Sequence, residues 1–262
     1  MRLSWCDGQR PRQLFAEHMR QWAPAPIGVG IRSVADMGLS PPALEGIEAQ
    51  VLGARTVEQR RVLFALGRAA ARDALAEIGL AAVAIGRGEG GEPLWPAGVV
   101  GAISHSQTVA TAIVGHATDY AGLGVDVEDT ERAPTPRTAR LIAVPEEMDW
   151  LDAPDGAERL LMLFSAKEAI FKALYPIERV WLGFSDARLT WRAERSAFSA
   201  RVLKRVSARH PAGFELDVHC TLGTTWVLST AFVAAQAAGR SGFDQDVTEK
   251  SSVDVAAAEH RD

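Results

Sequence analysis

The sequence is poor in cysteine and contains no long apolar run. Its 262 residues include two cysteines, Cys6 and Cys220, which lie far apart and show no metal-ligand spacing. Such sparse cysteine gives no disulfide framework and suits a reducing cytoplasm. No apolar stretch is long enough to cross a bilayer, and the N-terminus lacks the basic region and apolar block of a signal peptide. We therefore expect a cytoplasmic protein that has no membrane partner.

Positive charge is not in excess. The chain carries 28 Lys and Arg against 33 Asp and Glu, which gives a net charge of −5, so nucleic acid is not expected as a partner. A hydrophobic fraction of 47% is ample for a core. The length allows one large domain or two small lobes.

The strongest local pattern is helical and spans residues 157–174. Its apolar residues recur close to every 3.6 positions, as in an amphipathic helix; they are Leu160, Leu161, Leu163, Phe164, Ile170, Phe171 and Leu174. Lys167 and Glu168 stand within this apolar pattern. A charged pair beside a buried face is costly unless something partners it, and we predict that a metal ion and a phosphate do so.

An acidic pattern lies upstream, in the segment 124–128. Side chains alternate between the two faces of a strand, so Asp126 and Glu128 point to the same face. Together with Glu168 they would form an all-oxygen site, which is the kind of site that a hard divalent cation such as Mg²⁺ prefers. The sequence therefore predicts a magnesium site made by these three carboxylates.

The order of predicted elements repeats once. Helices are predicted over 57–78 and 157–174; strands over 99–104, 108–114 and 121–128, and over 187–193, 198–203, 214–219 and 225–232. A helix followed by mostly antiparallel strands, twice, indicates an α+β protein with two lobes. We place them at 1–132 and 133–236 and expect a disordered tail over 237–262. The carboxylate strand then falls in the first lobe and the Lys-Glu helix in the second, so the site is expected between the lobes.

Proline and glycine positions predict the remaining elements. Turns and short strands are expected up to residue 42, and a helix over 44–52. A helical stretch over 138–151 should be broken by Pro145, and the long helix should stop near Pro176.

Arginines follow one stripe of the first long helix. Arg60, Arg68 and Arg72 are spaced by eight and four residues. This stripe is either a solvated basic face or a clamp for an anion. The glycine-rich stretch 85–96 lacks the Gly-Lys-Ser/Thr and the following helix of a Walker loop, so by itself it predicts a turn.

Ser104 and His105 stand at the end of a predicted strand. With Asp126 they suggest a hydrolase triad. However, adjacent residues of a strand point opposite ways, and no G-x-S-x-G elbow occurs. The sequence therefore disfavours a triad.

The two charged motifs together resemble one family. LGVDVE and FSAKEAIFK are similar to the strand and helix signatures of the Sfp-type 4′-phosphopantetheinyl transferases, within the branch that includes the enterobactin synthase component D. GEPLWPAGVVGAISHS and WLGF resemble further marks of that branch. The resemblance covers roughly residues 57 to 235. Arg87 stands where some relatives have Lys, which keeps the charge.

The resemblance implies a fold, a reaction and partners. The fold is pseudo-twofold, with a long helix packed on a mostly antiparallel sheet in each lobe. The reaction moves the phosphopantetheine arm of coenzyme A to a serine of an apo acyl or peptidyl carrier protein, requires Mg²⁺, and releases adenosine 3′,5′-bisphosphate. The carriers belong to siderophore, polyketide or fatty-acid synthases, with siderophore or other secondary-metabolite carriers favoured by the branch. We expect a monomer.

The resemblance also assigns roles. Asp126, Glu128 and Glu168 hold Mg²⁺, Lys167 neutralises charge on the pyrophosphate, and Glu168 is also the general base. Lys172 pairs either with Glu168 or with phosphate. The coenzyme A contacts are Arg60, Arg68, Arg87, Ser104, His105, Asp126, Lys167 and Lys172.

Two other functions fit the same residues. A magnesium-dependent phosphohydrolase acting on coenzyme A or a nucleotide would use nearly the same site, with water as nucleophile. A binding module without activity is disfavoured, because all three carboxylates and the lysine are present.

Overall fold

A computed structural model describes residues 10–37, 40–53, 55–132 and 134–235. The helices are α1 Arg10–Trp22, α2 Glu48–Val51, α3 Glu58–Glu77, α4 Pro136–Ile142, α5 Met148–Leu151 and α6 Gly156–Glu178. The strands are β1 Gly28–Ser33, β2 Gly86–Arg87, β3 Pro93–Leu94, β4 Val99–His105, β5 Val109–His116, β6 Tyr120–Asp129, β7 Ala187–Arg192, β8 Ala197–Val202, β9 Glu215–Leu222 and β10 Trp226–Ala234. The tail predicted over 237–262 and Cys6 lie outside the described residues. Within the described part of the chain, every helix is too short or too polar to span a bilayer.

Two antiparallel sheets confirm the α+β prediction. One has three strands in the order β1-β5-β4, and the other has five in the order β6-β10-β9-β8-β7. In each sheet the first strand along the chain pairs with the last, β1 with β5 and β6 with β10. Helix α3 packs on the first sheet and α6 on the second. The molecule therefore has two lobes of matching order.

The carboxylate strand, which was expected in the first lobe, joins the five-stranded sheet. Strand β6 pairs with β10, so that Asp126 lies opposite Ser229 and Glu128 opposite Val227. The strand that begins the first sheet is β1, in a segment for which only turns and short strands were expected; helix α1, in the same segment, was not predicted. Strand partners far apart in sequence leave no mark in local periodicity. The lobe boundary after residue 132 stays a prediction.

Both long helices lie directly on a strand because of paired glycines. A Cβ on Gly122 or Gly124 would overlap the backbone carbonyls of Ala173 and Ala169 on α6. In the first lobe, a Cβ on Gly28 or Gly30 would overlap the corresponding carbonyls of α3. Glycine allows this backbone-to-backbone approach since it has no Cβ. A pair of glycines on the strand therefore sets the position of the long helix in each lobe.

An ion pair between strand and helix lies beside each of these backbone contacts. The charge that the strand carries has opposite sign in the two lobes. In the first lobe the strand carries the cation: Arg32 Nε and Nη2 donate to Asp73 of α3 at 2.5 and 2.6 Å. In the second lobe the strand carries the anion: Lys172 Nζ of α6 lies 2.5 Å from Asp126 Oδ1. Arg32 and Asp73 are half exposed, whereas the Asp126 side chain is 2% exposed.

The proline predictions were partly right. Pro145 separates α4 from α5 as expected, through a 3₁₀ turn. Helix α6, however, runs past Pro176 to Glu178 and ends on Arg179, whose N–H donates to the Tyr175 carbonyl at 2.8 Å. The proline falls in the last turn, where it removes a single backbone hydrogen bond. The helix predicted over 44–52 is reduced to α2.

Replacing Gly124 with alanine tests the helix–strand contact. Gly124→Ala should lower the free energy of unfolding by roughly 3 kcal/mol or prevent folding, because the contact atom is rigid backbone. Gly53→Ala is the matched control, since a Cβ there meets nothing within 4 Å, and it should change stability by less than about 0.5 kcal/mol. Urea unfolding of both variants is the measurement. Equal stability of the two would contradict the close approach.

Candidate active site

The centre of the candidate site is a buried network between β4, β6 and α6. Asp126 is 1% exposed. Its Oδ1 accepts hydrogen bonds from Ser104 Oγ at 2.9 Å and from Lys172 Nζ at 2.5 Å. Lys172 also donates to Ser104 Oγ at 2.9 Å. Asp126 Oδ2 is buried and has no hydrogen-bond partner among the described residues, so this carboxylate keeps one oxygen for a further ligand.

Glu128 and Glu168 add negative charge beside this network. Burial raises the pKa of Glu128 to about 8, and the neighbouring Asp126 and Glu168 contribute, while Lys172 opposes them. Burial also raises the pKa of Glu168; Lys172 opposes this and Asp126 adds to it. Burial lowers the pKa of Lys172, but attraction to Asp126 and Glu168 outweighs it and the pKa is raised. Asp126 is thus in contact with the Lys172 ammonium, and Glu128 and Glu168 interact with it electrostatically.

His105 lies at the edge of the same charged region. Its pKa is lowered although the residue is exposed: partial desolvation of the ring contributes most, then the positive charge of Lys172, with Asp126 opposing and Arg60 adding to the effect. A lowered pKa favours the neutral imidazole, which keeps one N–H to donate. Among the predicted phosphate contacts, Arg60, His105 and Lys172 form one electrostatic cluster.

The three carboxylates are not assembled as a metal site. Over the described ranges, no three side chains of His, Cys, Asp or Glu are grouped as ligands for one ion, and Lys172 occupies the position against Asp126 Oδ1. The donor set nevertheless fits a hard divalent cation, since it offers only carboxylate oxygens and the buried Asp126 Oδ2 lacks a partner.

The surroundings of Lys167 differ from those expected of a pyrophosphate contact. Its side chain is 2% exposed, and its Nζ donates to Glu147 Oε2 at 2.7 Å and to the carbonyls of Ile142 and Phe184 at 2.8 and 2.9 Å. An ammonium has three donors, and all three are used. Lys167 therefore joins α6 to the α4–α5 segment and does not face Asp126. Burial lowers its pKa, although Glu147 opposes this.

Arg68 is a buried cation with an unused donor. It is 5% exposed, Nη2 donates to the Gly86 carbonyl at 3.2 Å, and the guanidinium carbon lies 4.2 Å from the centre of the Phe64 ring. Nε is buried and lacks a partner within the described chain. Burial lowers the pKa of Arg68 to about 10; Glu48 opposes this, and the charges of Arg87 and Arg72 add to it. A phosphate would satisfy this group.

The arginines of the α3 stripe have different surroundings. Arg72 is occupied, because its Nη1 donates to both oxygens of the buried Glu48 at 2.8 and 2.6 Å. Arg60 and Arg87 are exposed. The anion-clamp interpretation thus stays a prediction for Arg60 and Arg68, whereas Arg72 is engaged within the fold.

Comparison with known proteins covers both lobes. The family description 4′-phosphopantetheinyl transferase N-terminal domain matches residues 48–115, and 4′-phosphopantetheinyl transferase superfamily matches residues 122–231. The chain is 33% identical to the 4′-phosphopantetheinyl transferase PptT of Mycobacterium tuberculosis over 188 residues, which cover 66% of this chain and 77% of that protein. The chain belongs to the 4′-phosphopantetheinyl transferase superfamily. This is a family of transferase enzymes, as the resemblance of the two motifs predicted.

Other members of the superfamily match over shorter lengths. The chain is 42% identical to the 4′-phosphopantetheinyl transferase Npt of Nocardia iowensis over 142 residues, covering 54% of this chain and 64% of that protein. It is 35% identical to the enterobactin synthase component D of Salmonella typhimurium over 142 residues, covering 50% of this chain and 55% of that protein. The two superfamily matches divide between residues 115 and 122, so that most of β6 falls within the second match.

Besides Glu48, three buried carboxylates of this superfamily member were missed by sequence reasoning. Glu147 accepts from Lys167, and also from the N–H groups of Val144 and Leu189. Asp129 accepts from the Ser106 and Thr108 hydroxyls. Glu92 pairs with Arg179. Asp129 had a signal, as the third acid of Asp-Val-Glu-Asp. Glu147 ends a 3₁₀ turn and Glu92 stands in a loop, and neither segment has a periodic pattern.

Lys167→Met tests whether this lysine is structural. Removing the ammonium leaves the Glu147 carboxylate buried without its cation, which should cost about 3 kcal/mol of unfolding free energy. Adding Glu147→Gln should recover part of that loss, because the amide needs no counter-charge. Chemical denaturation of both variants decides the matter. Full stability of Lys167→Met with loss of activity would restore the catalytic interpretation.

Proposed function

We propose that this protein transfers the 4′-phosphopantetheine arm of coenzyme A to a serine of an apo carrier protein. The reaction requires Mg²⁺ and releases adenosine 3′,5′-bisphosphate. Membership of the superfamily supports the reaction class, and the charged cluster around Lys172 supports the place where it occurs.

The cluster of Asp126, Glu128 and Glu168 carries the proposal, because the fold does not need it. The first lobe contains an internal control for the helix–strand contact. Counted from the paired glycines and the alanines above them, the position of Glu128 corresponds to Val34 and that of Glu168 to Ala69. The first lobe packs its helix on its strand with no carboxylate at either position. Two desolvated carboxylates with raised pKa values therefore point to a ligand rather than to packing.

We assign the phosphates of coenzyme A to the cationic groups. Lys172, rather than Lys167, neutralises charge on the pyrophosphate, since its Nζ is the ammonium that meets Asp126. His105 donates a hydrogen bond from a neutral ring. Arg68 offers its unpaired Nε to the 3′-phosphate, with Arg60 and Arg87 nearby. The planar fork of arginine suits a dianionic phosphate.

The three carboxylates would hold the metal, and one of them would accept the proton of the carrier serine. Asp126, Glu128 and Glu168 are the proposed ligands, and Mg²⁺ when bound would supply Lewis-acid neutralisation of the pyrophosphate oxygens. Glu168 is the proposed general base that takes the proton from the carrier serine hydroxyl. Ser104 orients Asp126 and Lys172, since its Oγ contacts both.

The relatives' names suggest which carriers are served. Some relatives are enterobactin synthase components, so we propose carriers of siderophore synthetases, with polyketide and fatty-acid carriers as further candidates.

Incubation with candidate apo-carriers, coenzyme A and Mg²⁺ tests the function. Mass spectrometry should find one phosphopantetheine arm added to the carrier serine, and excess EDTA should abolish the addition. Coenzyme A incubated without a carrier should remain intact. Release of adenosine 3′,5′-bisphosphate in that control would indicate a phosphohydrolase and refute the transferase proposal.

Glu168→Gln separates the two roles of Glu168. The amide keeps an oxygen for the metal but cannot take the proton, so single-turnover transfer should slow at least about a hundredfold. Calorimetric binding of coenzyme A with Mg²⁺ should weaken only modestly. Glu131→Gln, at an exposed carboxylate, is the control and should behave as wild type. Transfer by Glu168→Gln at near wild-type rate under saturation would place the base elsewhere.

A further inference from the structure

The β2–β3 hairpin carries Arg87 and is shaped by its glycines. Its tip is closed by the Gly88 N–H donating to the Glu92 carbonyl at 2.8 Å and the Gly91 N–H donating to the Gly88 carbonyl at 3.0 Å. Gly91 has φ +92°, and a Cβ there would lie 3.0 Å from Arg87 Nη2. The Arg87 guanidinium therefore folds back over the tip, and its direction depends on the conformation of the hairpin.

A buried carboxylate ties this hairpin to the second lobe. The Glu92 side chain is 5% exposed, and its Oε1 is paired with Arg179 Nη1. Its Oε2 is buried and unpartnered among the described residues. Arg179 is therefore the cation that compensates a desolvated charge, and such a charge is costly without one.

Arg179 keeps a backbone conformation that glycine would adopt more easily. It caps α6 with φ 54° and ψ 25°, in the left-handed region. Helices commonly end in this conformation with glycine, and other residues are strained there. Strain that persists at one residue indicates that its side chain is needed. The Arg179 side chain forms the ion pair with Glu92.

We propose that Arg179 and Glu92 form a latch that positions the hairpin, and through it Arg87, for coenzyme A. The hairpin is then held from both lobes, since Arg68 of α3 donates to the Gly86 carbonyl of β2 and Arg179 follows α6. The Tyr175 hydroxyl packs against Gly90 at the tip, where a Cβ would overlap it. Arg179 and Glu92 are positioning residues, and the identity of the ligand rests on the proposed function.

Arg179→Gly is the decisive variant, because it removes the side chain and also relieves the backbone strain. The variant should fold, yet its calorimetric Kd and its KM for coenzyme A should rise at least about fivefold. The KM for the carrier should stay within about twofold of wild type, and Arg179→Lys should recover part of the affinity. Arg195→Met is the control: Arg195 is similarly exposed and paired with Asp217, and its loss should change nothing.

A double-mutant cycle with Arg87→Met separates positioning from general stability. If Arg179 acts through Arg87, Arg179→Gly should have little further effect on coenzyme A binding once Arg87 is replaced. Additive losses would overturn the proposal, as would wild-type affinity in Arg179→Gly.

Hydrogen exchange reports on the latch without any ligand. Amides over 86–94 should exchange at least about fivefold faster in Arg179→Gly than in wild type, while those of β9 stay unchanged. Unchanged hairpin exchange would overturn the latch whatever the enzyme does. Wild-type protein that neither binds coenzyme A nor modifies a carrier, but whose hairpin loosens in Arg179→Gly, would refute the proposed function and leave the latch standing.

Discussion

The backbone contact of β6 with α6 at Gly122 and Gly124 sets where the α6 side chains of the candidate site lie relative to Asp126. At this separation Lys172 reaches Asp126, and Glu168 lies one turn earlier on the same face of the helix. A larger residue at either glycine would move the helix outward and separate the ammonium from the carboxylate. The site therefore depends on two positions that carry no side chain.

The charges of the site are not balanced by the protein alone. Three carboxylates, Asp126, Glu128 and Glu168, interact electrostatically with the one ammonium of Lys172. Burial and the neighbouring carboxylates raise the pKa of Glu128, which is a cost to its charged form. Burial and like charge both favour the protonated form of a carboxyl group. A bound cation would remove that cost, whereas packing could have avoided it with apolar residues, as the first lobe does with Val34 and Ala69. The imbalance supports the proposal of a ligand site at this place.

Much of this arrangement could be predicted from the sequence, and the failures have physical causes. Alternation along β6 correctly put Asp126 and Glu128 together, and the repeated order of elements gave the two lobes. Lys167 was predicted at the same site as Glu168, but adjacent helix residues point about 100° apart. Helix α6 packs on β6, β9 and β10 and also against α4 and α5. Lys167 therefore points to the α4–α5 segment rather than to β6. Its partner Glu147 ends the 3₁₀ turn between α4 and α5, which is too short for a periodic pattern to report burial.

The two strand–helix ion pairs, which have opposite polarity, also differ in their exposure to solvent. Arg32 with Asp73 remains half exposed in the first lobe, and an exposed pair contributes little to stability. Asp126 with Lys172 occupies the matching place in the second lobe, but β4 of the first lobe packs over β6 and places Ser104 on both groups. Burial is thus supplied by the other lobe. A surface ion pair of the repeated unit becomes a desolvated, hydrogen-bonded pair only where the lobes meet, and desolvation is what makes such charges strong enough to act on a ligand.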